Sequence, residues 1–217
     1  MFLTSPEFTS ASNEWGAMYA LEMDTVSKNF GPVTALDRIS IGVARGSFTA
    51  VVGRPGSGRS TLLRCAAGLS APSSGTVWRD SSAVELAVPG GPGERAAPAS
   101  GPVGAWHEEV VTGLGLDEPA TPDHDARARL ARALLRRPAL LLVDEPTHGV
   151  GAGYRDRAVR LLRRLVDRYT RTVLVTTADP AVAAAADVAL FLDRGRFVDA
   201  ICAPTAGQVA GRLAQRR

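Results

Sequence analysis

The apolar run FTAVV (48–52) is followed at once by GRPGSGRST (53–61) and then by a segment, Ser60 to Leu69, whose Leu62, Leu63, Ala66 and Ala67 share one helical face. Read in order this is a buried strand, a turn with three glycines, and a helix start. Such a turn lets backbone N–H groups close around phosphate oxygens with no side chain in the way, and the helix dipole adds attraction. Gly53, Gly56 and Gly58 supply the turn, with Arg54, Pro55 and Ser57 between them. The Ser60 hydroxyl is placed to ligate Mg²⁺, and Thr61 is placed for an α-phosphate. The competing reading is a glycine-rich turn with no ligand. It is favoured by Arg59, which stands where such loops almost always carry lysine.

A second feature weighs against the competing reading. Leu140-Leu141-Leu142-Val143 reads as another buried strand, and Asp144-Glu145-Pro146-Thr147 follows it directly. A phosphate-bound Mg²⁺ needs a carboxylate at a strand end, and hydrolysis needs a second one to orient water. Asp144 fits the first role and Glu145 the second; the alternative is a pair of solvated acids.

The remaining pattern is α/β. Alternation from Ala20 to Val43, with Leu21, Met23, Val26, Ile39, Ile41 and Val43 apolar, predicts a strand pair at a sheet edge, connected through Gly31-Pro32. Helices are predicted over Trp106 to Leu116, Asp123 to Arg137, Tyr154 to Tyr169 and Ala206 to Gln215. In the second of these, Ala126, Leu130 and Leu134 form the inner stripe, while Arg127, Arg129, Arg132 and Arg136 point outward. Thr172 to Thr176 reads as a buried strand, and Val188 to Leu192 with Arg196 to Ile201 as a hairpin turning at Asp193-Arg194-Gly195. Residues 1–19 read as a disordered leader, having neither a basic start nor an apolar middle. Residues 81–104, dominated by Ala, Gly, Pro and Ser, read as a flexible connection within a single domain spanning 20–217.

These residues together resemble the ATP-binding subunit of an ABC transporter. The similarity is densest over Val26 to Val77, at LARALLRRPALLLVDEPT (130–147), and at VALFLDRGRFVDA (188–200). It implies an α/β fold: a P-loop NTPase core with a mostly parallel sheet, an N-terminal antiparallel β subdomain, and a reduced helical subdomain at 105–137. It implies ATP and Mg²⁺ as cofactors, with Phe30 stacking on adenine, Gly53 to Thr61 holding phosphates, and Ser60 and Asp144 serving the metal. Glu145 and Arg59 would be the catalytic residues. For Phe30 a strand-end aromatic packed on the core is the plainer alternative. The implied partners are a membrane permease and a second ATPase subunit, as homodimer or heterodimer, at the cytoplasmic inner face of the cell membrane. The ending resembles subunits that serve exporters of the macrolide and lipoprotein type.

The chain also departs from the family pattern. Where the LSGGQ signature is expected it has ATPDH (120–124), and 81–104 offers no candidate for the glutamine loop that meets the permease. Gly151 replaces the aspartate after DEPT, and Thr177 replaces the switch histidine. Losing one preorganised donor to a developing charge costs about 2.7 to 4 kcal/mol, so weakened hydrolysis is expected, with binding less affected. A nucleotide-binding or structural module that no longer hydrolyses ATP is the alternative.

Other readings are narrower. The net charge is +3, and Lys28 is the only lysine. The arginines at 155, 157, 160, 163, 164, 168 and 171 suggest a nucleic-acid surface, but their place on the polar side of an amphipathic helix favours a solvated face; no nucleic-acid partner is expected. His107, His124 and His148 lack metal-ligand spacing, and Cys65 and Cys202 read as small buried apolar residues in a reducing compartment.

Overall fold

The computed structural model describes residues 18–80, 84–87, 104–117, 124–148 and 150–215. The first two strands, β1 (Tyr19–Phe30) and β2 (Val33–Ala44), form a hairpin. They are followed by β3 (Phe48–Val52), β4 (Ser74–Arg79), β5 (Val84–Ala87) and β6 (Leu140–Asp144). The last three are β7 (Thr172–Thr177), β8 (Val188–Asp193) and β9 (Arg196–Cys202). The larger sheet runs in the order β5-β6-β7-β3-β8-β9; β9 is antiparallel to β8 and the other pairings are parallel.

Every residue of β3, β6 and β7 is buried, as expected of strands covered on both faces. Alternate residues serve opposite cores. Phe48, Ala50, Val52, Leu141, Val143, Val173 and Val175 face a helical layer. That layer contains α2 (Ala105–Leu114), α3 (His124–Leu135), α4 (Ala152–Tyr169), the single turn α5 (Pro180–Ala183) and α6 (Ala206–Gln215), which follow α1 (Arg59–Ala67) in the chain. Val51, Leu140, Leu142 and Leu174 face the other way, onto α1 and the hairpin. The apolar stripe of α4, with Ala158, Leu161, Leu162 and Leu165 buried, packs on the first core, and each of its leucines contributes about 1.5 to 3 kcal/mol by leaving water.

The architecture is the α/β arrangement expected, with a mostly parallel main sheet and an antiparallel N-terminal one. Several local expectations are corrected. The Ala20 to Val43 strands form the expected N-terminal antiparallel pair, but not as a hairpin alone. They pair with β4, which the sequence reading did not identify, to make a separate sheet in the order β2-β1-β4. Within the segment 81–104, read as a flexible connection, Val84–Ala87 pairs in parallel with Leu140–Val143 as the edge strand β5. Four residues give too short a pattern to stand out from an Ala- and Pro-rich background.

Arg127 does not point outward. It is 7% exposed, donates from Nη1 to the carbonyl of Gly115 at 3.1 Å, and lies over the Tyr154 ring. The carbonyl end of α2 and an aromatic face together replace its water. Helix α1 stops before Leu69 because Gly68 takes a left-handed conformation and closes the helix on the carbonyls of Arg64 and Cys65. Nearly all of the leader, and the positions expected to carry the signature except the backbone of His124, lie outside the described residues.

Candidate functional site

The glycine turn leaves β3 in the middle of the main sheet and enters α1, as its flanking residues predict. Gly58, the N-cap of α1, has φ 107, and a Cβ there would collide with the carbonyl of Ala35 on β2. Only glycine fits. Gly56 has φ 82 with nothing within 4 Å of a Cβ position, so it borders open space, not packed protein. Around the turn, Gly195 N–H donates to Ser57 O, Asp37 N–H donates to Gly195 O, and Arg54 donates from Nη2 to Leu213 O. Strand β2, the β8–β9 turn and α6 therefore brace the loop from three sides.

The cradle has the donors that a polyphosphate needs. Helix α1 has no side-chain cap and no acidic residue in its first turn, and the N–H groups of that turn have no acceptor within the helix. The Oγ of Ser57 and the Nη1 of Arg59 are buried without a hydrogen-bond partner. Ser60 and Thr61 lie in the same first turn. These features fit a bound phosphate chain in the loop.

The acid pair meets the loop. Asp144 ends β6, is 7% exposed, and accepts a hydrogen bond at Oδ1 from the Thr176 hydroxyl. Glu145 follows in the left-handed region, with φ 47. Its N–H donates to Thr176 O, and its Oε2 accepts from Ala178 N–H at 3.4 Å. Its Oε1 lies 2.6 Å from Nη2 of Arg59. Arg59 is 8% exposed and Glu145 21%, so the ion pair is largely shielded from water. It joins the N-terminus of α1 to the tip of β6.

Phe30 is placed differently from the core aromatic that was its plainer alternative. It sits at the turn of the β1–β2 hairpin, 53% exposed, with Lys28 Nζ 5.1 Å from its ring centroid. An exposed ring beside the strand that braces Gly58 is available for stacking. Thr177, at the expected switch position, is fully buried, and its Oγ1 accepts from Asp179 N–H. Gly151 is the N-cap of α4, and α4 begins before the expected Tyr154. Sequence reasoning missed Thr176, Ala35 and Gly195 as parts of the site, because each is brought there by sheet register or a turn. No local pattern marks them.

The arginine face of α4 is substantially ion-paired. Arg163 bridges Asp167 and Asp187, Arg155 reaches Asp179, and Arg164 and Arg168 flank Glu109. Glu109 also accepts a hydrogen bond from the Tyr169 hydroxyl at 2.6 Å. Among the described residues, no helix is long and apolar enough to cross a membrane.

Comparison with known proteins agrees with this geometry. A family model described as ABC transporter matches residues 36–109. The chain is 36% identical over 204 residues to the aliphatic sulfonates import ATP-binding protein SsuB 1 of Nocardia farcinica, covering 85% of this chain and 83% of that protein. It is 34% identical over 207 residues to SsuB 2 of Rhodococcus jostii, covering 82% and 81%. SsuB 1 of Burkholderia lata is 39% identical over 206 residues, and there the match covers 82% of this chain; the chain spans 62% of that longer relative. Among solved structures, an ATP-binding cassette of an ABC transporter, MJ1267 in its ADP conformation, superposes with a TM-score of 0.74 at 18% identity, covering 91% of this chain and 95% of that one. The dimeric MJ0796 cassette gives 0.70 at 19% identity, covering 84% and 98%. At that identity the two structures speak for the fold alone.

Proposed function

The chain belongs to the family of ABC transporter ATP-binding proteins, and we propose from that premise that it binds ATP with Mg²⁺ and couples it to a membrane permease, with impaired hydrolysis. The observation that carries this reading is the contact between Arg59 and Glu145, which brings the glycine loop and the acid pair together. Bound Mg²⁺ would supply charge neutralisation between phosphate oxygens. The backbone of Gly53 to Thr61 holds phosphates, Ser60 and Asp144 hold the metal, Glu145 orients water, and Phe30 takes the adenine. The protein acts as a homodimer or heterodimer with a second ATPase subunit, peripheral at the cytoplasmic face of the membrane. The similarity to relatives named for import supports import as the direction, in place of the exporter types that the chain's ending resembles.

Impairment rests on several residues. Arg59 keeps the loop's charge, but its planar fork is wider than an ammonium. Thr177 has no imidazole, and its hydroxyl is engaged with Asp179. A second reading, a nucleotide-binding module without hydrolysis, is favoured by the Glu145 carboxylate being engaged by Arg59. Titration with a fluorescent ATP analogue, with and without Mg²⁺, alongside a phosphate-release assay separates the two. Steady release that is lost in Glu145→Gln supports the ATPase; saturable binding without release supports the module. No saturable binding would defeat both.

A further inference from the structure

We propose that Arg59 is a specificity-determining residue that makes the site favour a nucleoside diphosphate over the triphosphate, because Glu145 already occupies the guanidinium as an internal anion. The inference rests on the nucleotide-site reading above.

The geometry behind it is confined at both ends. Arg59 is the first residue of α1, directly after Gly58, whose backbone is packed against Ala35. Glu145 is held by its own N–H on Thr176 O and by Ala178 N–H on Oε2. The two side chains meet at 2.6 Å in a place where water is largely excluded. A carboxylate so placed satisfies the loop cation in the way a phosphate oxygen would.

Diphosphate oxygens are served by the backbone N–H groups of the loop and first turn, which the Arg59–Glu145 pair leaves untouched. The guanidinium also retains a second nitrogen, Nη1, that is buried without a hydrogen-bond partner and that Glu145 does not occupy. A terminal phosphate is different. It adds negative charge beside Glu145 and Asp144 and needs the loop cation for itself, so the ion pair must open. A lysine ammonium is a compact point charge on a flexible stem; the arginine fork fixes one edge on the carboxylate.

The test is calorimetric titration of the full chain with MgADP and with the Mg²⁺ complex of a non-hydrolysable β,γ-imido analogue of ATP. Glu145→Gln is expected to raise affinity for the triphosphate analogue about tenfold while changing that for ADP less than about twofold. In an Arg59→Met background the same Glu145→Gln change is expected to give a clearly smaller gain, from relieved charge repulsion alone, because there is no cation to release. Arg59→Lys serves as a second background, and urea denaturation of the ligand-free variants verifies folding. An equal gain with and without Arg59 means simple charge repulsion by Glu145 and overturns the proposal. An unchanged ratio of the two affinities in Glu145→Gln, with ADP still bound, also overturns it while leaving the nucleotide site standing. Absence of binding by either nucleotide overturns the site reading and this inference together.

Discussion

The hydroxyl of Thr176 donates to Oδ1 of Asp144 at 2.5 Å, across the register pair that joins β7 to β6. Both residues are buried, so the bond fixes one carboxylate oxygen in a place where water cannot substitute. Thr176→Val preserves the shape and removes the donor. A hydrogen bond to a charged group contributes about 1.5 to 3 kcal/mol, and urea denaturation should show a loss of that order. The Mg²⁺ dependence of nucleotide binding should weaken in parallel. Unchanged values of both would show that Asp144 is held by other means.

Tyr169 donates its hydroxyl proton to Glu109, and this hydrogen bond is the main cause that pushes the phenol above its ordinary range, with burial and the Glu109 charge adding to it. A group whose folded pKa is raised contributes stability that is complete below its unfolded value of about 10 and is lost as pH rises through the folded value. Thermal denaturation from pH 8 to pH 11 should show an alkaline decline in Tm that is shallower in Tyr169→Phe. Parallel curves for the two proteins would rule the linkage out.

The two cysteines should differ in reactivity. Burial pushes the Cys65 thiol up, and the opposing effects of Lys28 and the Ser70 hydrogen bond do not offset it. Cys202 is exposed at the end of β9, contrary to the sequence expectation that both would be buried. Because the thiolate is the nucleophile, iodoacetamide at pH 8 should label Cys202 quickly and leave Cys65 intact until the protein is denatured. Mass spectrometry of tryptic peptides reads both sites.

Arg127 ties α3 to α2 through the carbonyl of Gly115 and covers the Tyr154 ring of α4. Arg127→Met keeps an apolar stem but removes the donor and the cation. A loss of about 1 to 3 kcal/mol is expected by chemical denaturation. An outward-pointing arginine, as the helical pattern had predicted, would change stability by less than about 0.5 kcal/mol.

The site was more legible in the sequence than its surroundings. Glycine spacing after an apolar run, and two acids after another, are local patterns, and local patterns survive in a linear reading. Strands β4 and β5 were missed because SGTVWR and VELA are short and unevenly apolar, so pairing with β1 and β6 decides them. The same holds for Arg127, whose burial depends on a carbonyl and a ring contributed by other helices.

What the sequence alone determined is the strand, turn and helix that make the cradle, because glycine backbone freedom and apolar run length act over a few residues. The tertiary structure alone decided that Arg59 and Glu145 neutralise each other, because β7 sets the β6 tip beside α1 and long-range contact has no signature in either residue's neighbours.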